Sequence, residues 1–179
     1  MYNTAASTLS ILTVCLYVAG CNTSEQKIVT ADTTEAIIKE HLIKANKELT
    51  LEEQLTIEAY IKRNGLEMES TSSGLRYRII QQGTGDSINL GDKVTIAYRV
   101  YLLDGTLCYQ TDSGQTLLVT VGQFDIPAGM HQALLSMQLG DKWQLLIPSH
   151  LAYGLTGDNN KIPMSSTLNV YIETINKSK

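Results

Sequence analysis

From Gly74 onward the chain alternates apolar and polar residues with a period of two, and this pattern commits it to a sheet-dominated fold. Leu75, Tyr77 and Ile79 alternate with Arg76, Arg78 and Ile80. Val94, Ile96, Tyr98, Val100 and Leu102 share one face, then Leu117, Val119 and Val121, then Trp143, Leu145 and Ile147, and last Leu168, Val170 and Ile172. Successive side chains of a strand point to opposite faces, so each run offers a single apolar side to a core. Asn89-Leu90-Gly91-Asp92 marks a turn, and Asp104-Gly105 marks a hairpin because both residues tolerate positive φ. The stretch from Gly129 to Met137, bounded by Leu139-Gly140-Asp141, is the one helical segment here. The predicted architecture is α+β, an antiparallel sheet wrapped around one short helix.

Two amphipathic helical patterns precede the sheet. Thr33 or Thr34 can cap the first, which carries Ile37, Ile38, Leu42, Ile43 and Ala45. In the second, Thr50-Leu51-Glu52-Glu53 has the form of a capping box, with Leu51, Leu55, Ile57, Tyr60 and Ile61 following and Asn64-Gly65 as a left-handed stop. Two short helices bury little alone, so they are expected to act as a spacer or a dock.

The amino terminus has a different character. Residues 1–20 contain no Asp, Glu, Lys or Arg, and Leu9 to Val18 is apolar but too short for a membrane-spanning helix of about 20 residues. It has the form of a secretory h-region, although no Lys or Arg opens it; a buried strand is the alternative. Val18-Ala19-Gly20-Cys21 resembles a bacterial lipobox, which implies cleavage before Cys21 and lipidation of that cysteine. Several acyl chains would hold the protein at a membrane stably. With Cys15 removed and Cys21 acylated, Cys108 is the remaining thiol and no disulfide framework is expected.

Composition narrows the chemistry. A formal net charge of −4 supplies no basic field for phosphates, so a nucleic-acid partner is not expected. Aromatics are 6%, with one Trp and one Phe against nine Tyr, so a pocket must be lined largely without Phe and Trp. His41, His131 and His150 stand apart with no ligand spacing, which gives no metal site. Gly83-Thr84-Gly85-Asp86 is a turn with no helix after it, and Asp158-Asn159-Asn160 reads as a plain loop.

Four ordered blocks carry a family resemblance. They are Gly91-Asp92-Lys93-Val94 through Tyr98 with Leu103-Asp104-Gly105; Val121-Gly122-Gln123 with Ile126-Pro127 and Gly129; Met137-Gln138-Leu139-Gly140-Asp141-Lys142; and Ile147-Pro148 with Leu151-Ala152-Tyr153-Gly154, Ile162-Pro163 and Ser166-Thr167-Leu168. This stretch resembles the FKBP family of peptidyl-prolyl cis-trans isomerases. The layout of lipobox, helices and domain resembles the lipoprotein isomerases of Bacteroidetes, some of them linked to gliding motility.

The resemblance implies an FKBP-like fold and an isomerase that needs no cofactor and acts on proline-containing protein segments. It implies catalytic roles for Tyr98 on the cleft floor, Ile126 through its backbone N–H, and Tyr153 through its hydroxyl. It implies substrate contacts from Cys108, Tyr109, Leu117, Pro127, Met130, Ile162 and Val170. Departures accompany the match: Cys108-Tyr109 replaces the usual Phe-Asp, no Arg follows within residues 110–115, and Met130, Leu117 and Val170 stand where the family has aromatics. Trp143 can refill core volume. The expected organisation is a signal over residues 1–20, a tether over 21–32, a helical spacer over 33–70 and an isomerase domain over 71–179. Such a protein would face the periplasm from the outer membrane, as a monomer, and assist folding of exported proteins. The alternative is a non-catalytic chaperone or binding module of an envelope machine.

Overall fold

The structure, a computed structural model, describes residues 31–112, 115–123 and 125–178. The expected signal, Cys21 and most of the tether lie outside the described residues. Among the described residues, 41–178 fall within one compact unit.

Helix α1 spans Ala31–Arg63. Strands β1 (Glu69–Ser70), β2 (Arg76–Gln81), β3 (Lys93–Leu102), β4 (Leu107–Gln110) and β5 (Leu117–Thr120) follow. Then come α2 (Ala128–Leu134), β6 (Lys142–Ile147), a 3-10 turn at Ser149–Leu151 and β7 (Leu168–Ser178). Among the described residues the antiparallel sheet has seven strands, in the order β1-β2-β6-β7-β3-β4, and β5 also pairs with β3. β4 meets the Arg99–Tyr101 end of β3 and β5 the Lys93–Ile96 end, so one strand serves two partners in succession. The α+β architecture is the expected one.

The two helical patterns differ from expectation: they form one continuous helix. Asn46-Lys47-Glu48-Leu49 contains no Gly or Pro to break it. The Thr50 hydroxyl donates to the Asn46 carbonyl one turn back, at 2.8 Å, instead of capping a new helix. The end of the helix lies where expected. Gly65 has φ +60°, and the Leu66 N–H reaches the Ile61 carbonyl at 3.0 Å, closing the last turn.

The alternation places Leu145, Ile147, Val170 and Ile172 on the inner face of β6 and β7, all buried. Their neighbours Gln144, Leu146 and Asn169 point outward and are buried too. They meet the last turns of α1: the Asn169 amide donates to the Tyr60 hydroxyl at 3.2 Å, and Ile57 is 1% exposed. Burying one such aliphatic side chain is worth about 1.5–3 kcal/mol. Gln144 is satisfied by donating to Asn169 at 2.9 Å and accepting from Arg78 at 2.7 Å.

Helix α2 is shorter than expected, starting at Ala128 and ending at Leu134, with Met137 buried in the turn beyond. It crosses the inner face at Gly129, where an added Cβ would lie 2.4 Å from Cγ2 of Ile147. Glycine is required there for the helix to touch the strand. Gly83 to Asp86 is irregular with a bend at Gly85, and the Gly83 N–H donates to the buried Asp141 carboxylate at 2.6 Å.

Candidate functional site

The inner sheet face and α2 enclose one apolar cluster that gathers the residues singled out by sequence. Cys108, Met130, Ile162 and Val170 are buried in it. Tyr98, Tyr109, Leu117, Ile126 and Tyr153 pack against it and stay partly exposed, so they form a rim over a buried floor. Pro127 sits at the start of α2 with φ −52°, and its carbonyl accepts from the Met130 N–H at 2.9 Å.

Each rim residue is held by its own local device. Tyr98 lies on the inner face of β3, where its N–H donates to the Thr111 hydroxyl at 3.1 Å and its carbonyl accepts the Thr111 N–H at 3.0 Å. Ile126 precedes a proline, a position biased to extended backbone, and among the described residues no acceptor meets its N–H. The turn before it is tied down at two points. Asp125 accepts the Thr120 N–H at 3.2 Å, and Nδ1 of His131 accepts the Gly122 N–H at 3.2 Å. An accepting Nδ1 places the ring proton on Nε2, which faces the Asp125 carboxylate at 3.2 Å.

Tyr153 follows the 3-10 turn and projects toward the same rim. Burial, then the nearby Asp158 charge, Tyr98 and Cys108, push its phenol above the ordinary tyrosine value. The hydroxyl therefore keeps its proton at neutral pH and is available as a donor. Burial likewise raises the Cys108 thiol, followed by the charges of Asp158 and Asp104. Its sulfur donates to the Lys161 carbonyl at 3.6 Å, so Cys108 behaves as a small neutral filler. Trp143 is 4% exposed and stacks on Tyr77 with centroids 4.7 Å apart, filling the core beside the floor.

Tyr109 departs from a simple contact role, because its hydroxyl donates to the Asp158 carboxylate. Asp158 was legible only as an oxygen-rich loop, and Thr111 and His131 carried no sequence signal of their own. A groove of about 730 Å3 also opens beside Tyr98. Arg99, Lys142, Tyr171 and Glu173 line it together with Tyr98, Trp143 and Ile172, which belong to or pack on the apolar cluster.

Residues 85–175 match the family model described as FKBP-type peptidyl-prolyl cis-trans isomerase. The chain belongs to the FKBP family. Its relatives include the FKBP-type 22 kDa peptidyl-prolyl cis-trans isomerase of Escherichia coli, 36% identical over 120 residues, covering 66% of this chain and 56% of that one. The outer membrane protein MIP of Legionella longbeachae is 37% identical over 108 residues, covering 60% of this chain and 46% of that one. The chain thus spans about half the length of these relatives. A solved peptidyl-prolyl isomerase from Pseudomonas syringae pv. tomato superposes with a TM-score of 0.62 at 26% identity, covering 73% of this chain and 96% of that one. The floor of the cluster is non-aromatic, built from the buried Cys108, Met130, Ile162 and Val170. Among the described residues no helix is long and apolar enough to cross a membrane.

Proposed function

We propose that this FKBP domain isomerises X-Pro bonds in extended protein segments. The observation that carries the proposal is the convergence of a Tyr98, Ile126 and Tyr153 rim on a floor of Cys108, Met130, Ile162 and Val170. Rotation about an X-Pro bond crosses a barrier of about 18–20 kcal/mol without making or breaking a covalent bond. An apolar floor takes the prolyl ring and strips water from the amide carbonyl, which favours the twisted form whose resonance is reduced. The Tyr153 hydroxyl and the Ile126 N–H then donate to carbonyls flanking the bond and hold the segment in register. Leu117, Pro127 and Tyr109 line its approach.

A protease-coupled assay on proline peptides tests this. Wild-type protein accelerates the slow phase, and Tyr153→Phe lowers kcat/KM about tenfold, the worth of one hydrogen bond of about 1.4 kcal/mol. An unaccelerated slow phase at stoichiometric protein overturns the catalytic reading.

One observation favours a second reading, a non-catalytic binder of proline-containing segments. Tyr109 stands where the family usually carries a carboxylate, and its hydroxyl is engaged by Asp158. In that case proline peptides bind without any change in isomerisation rate.

The anchor belongs to the same proposal. The Val18-Ala19-Gly20-Cys21 sequence supports lipidation of Cys21, the arrangement of Bacteroidetes lipoprotein isomerases, and Asn22 after it supports sorting to the outer membrane. A domain so tethered would serve exported chains in the periplasm. Cys21→Ala should move the protein from the membrane to the soluble fraction; unchanged fractionation refutes the anchor.

A further inference from the structure

The segment from Tyr153 to Ile162 carries two cleft residues at its ends, yet no strand or helix holds its middle. What holds it is the side chain of Asp158. One carboxylate oxygen accepts the Ile162 N–H at 2.8 Å and the Asn160 N–H at 2.9 Å, and the other accepts the Tyr109 hydroxyl. The Asp158 N–H donates to the Ile162 carbonyl at 3.1 Å, which closes the turn. Gly157 makes that closure possible: its φ is +69°, and a Cβ there would lie 2.3 Å from the Ile162 carbonyl oxygen. From β4, Tyr109 grips the same turn three ways. Its hydroxyl donates to Asp158 and accepts from the Asn160 amide at 3.3 Å, and the Lys161 ammonium lies 5.1 Å from its ring centroid. Next to it, the Cys108 sulfur meets the Lys161 carbonyl.

We propose that Tyr109 and Asp158 form a clamp between β4 and the 153–162 turn, which makes both of them positioning residues for the cleft. The clamp sets where Ile162 enters the floor and where Tyr153 presents its hydroxyl. This inference rests on the isomerase reading for its functional consequence, while the clamp itself has an independent readout. The hydroxyl of Tyr109 serves Asp158 rather than substrate, so Tyr109 acts on the reaction through the turn. Burial alone would raise the Asp158 carboxyl. The Tyr109 hydroxyl and the Ile162, Asn160 and Lys161 N–H groups outweigh it and hold the carboxyl below its ordinary value, so it is ionised at neutral pH.

The experiment uses the full chain with Tyr109→Phe, Asp158→Ala, Asp158→Asn and the Tyr109→Phe/Asp158→Ala pair. Each is assayed for kcat/KM on proline peptides, for its unfolding midpoint, and for amide hydrogen exchange at Asn160 and Ile162. Tyr109→Phe should speed exchange at both amides and lower kcat/KM about fivefold to tenfold with little change in midpoint. Asp158→Asn, which keeps an acceptor, should retain more activity than Asp158→Ala. The double variant should be no worse than Asp158→Ala, because the two side chains act as one unit. Unchanged exchange in Tyr109→Phe overturns the clamp, as does a double variant whose loss is the product of the single ones. Wild-type protein that accelerates nothing overturns the isomerase reading instead, and the exchange rates still decide the clamp.

Discussion

Replacing Glu53 by alanine should destabilise the FKBP domain by about 2–4 kcal/mol, although Glu53 lies on α1, far from the sheet in sequence. Its carboxylate accepts three hydrogen bonds: from the Ser149 N–H at 2.6 Å, the Ser149 hydroxyl at 2.9 Å and the Thr167 hydroxyl at 2.7 Å. Ser149 is 8% exposed and Thr167 7%, so neither donor turns freely to water once the carboxylate is gone. A hydrogen bond to a charged group contributes about 1.5–3 kcal/mol. Three sharing one partly exposed carboxylate sum to less than three separate bonds, which gives the stated range. For a unit of this size, each kcal/mol moves the unfolding midpoint about 2–4 °C, so a drop of about 4–16 °C is expected. Urea and thermal unfolding of Glu53→Ala measure it, with Glu52→Ala, one residue away and exposed, as the control at about 0.5 kcal/mol or less. Ser149 opens the turn that leads to Tyr153, so isomerisation should weaken along with stability. A loss below about 1 kcal/mol, or one equal to that of Glu52→Ala, would refute the claim that α1 is fastened to the domain through Glu53.

Three further outcomes are expected. Gly129→Ala drives a methyl to 2.4 Å from Ile147 Cγ2, so overpacking of about 1–3 kcal/mol should outweigh the better helix propensity of alanine; a urea midpoint at or above wild type contradicts the close α2–β6 approach. Asp92 and Asp104 are held below the ordinary carboxyl value first by the backbone N–H groups of Asn89 and Thr106 respectively, and Asp158 is lowered as well. Carboxyls lowered by folding stabilise at every pH above their unfolded value and lose that contribution as pH falls through the folded one, so the share of stability they supply should be flat above pH 5 and fall below about pH 4. Asp92→Asn, Asp104→Asn and Asp158→Asn should each reduce that acid-limb slope in urea titrations; an unaltered slope refutes the assignment. Thr111→Val removes the acceptor for the Tyr98 N–H at 3.1 Å and should cost about 1–3 kcal/mol by leaving that donor unpaired, read by urea unfolding; a loss under about 0.5 kcal/mol contradicts it.

The sheet was legible because its signals are local. Period-two alternation, Asp104-Gly105 and the Asn64-Gly65 stop each act within a few residues, and the structure has strands, a hairpin and a helix end at those places. Tyr98, Ile126 and Tyr153 were singled out through family motifs, and the structure packs all three against one apolar cluster. What stayed hidden depends on distant partners. Thr50-Leu51-Glu52-Glu53 has the spacing of a capping box, yet Glu53 is taken by Ser149 and Thr167, at sequence separations of 96 and 114 residues. With its carboxylate committed elsewhere, nothing at Thr50 interrupts α1. Asp158 gave no sign of its role either, because the Tyr109 that engages it lies 49 residues upstream.

The most direct test of the central claim is NMR exchange spectroscopy on a proline-containing peptide, with cis and trans resonances followed as wild-type protein is added in catalytic amounts. The account predicts cross-peaks that grow with protein concentration and are weakened by Tyr153→Phe. Resonances that shift on binding while the cis-trans exchange rate stays at its uncatalysed value would contradict it.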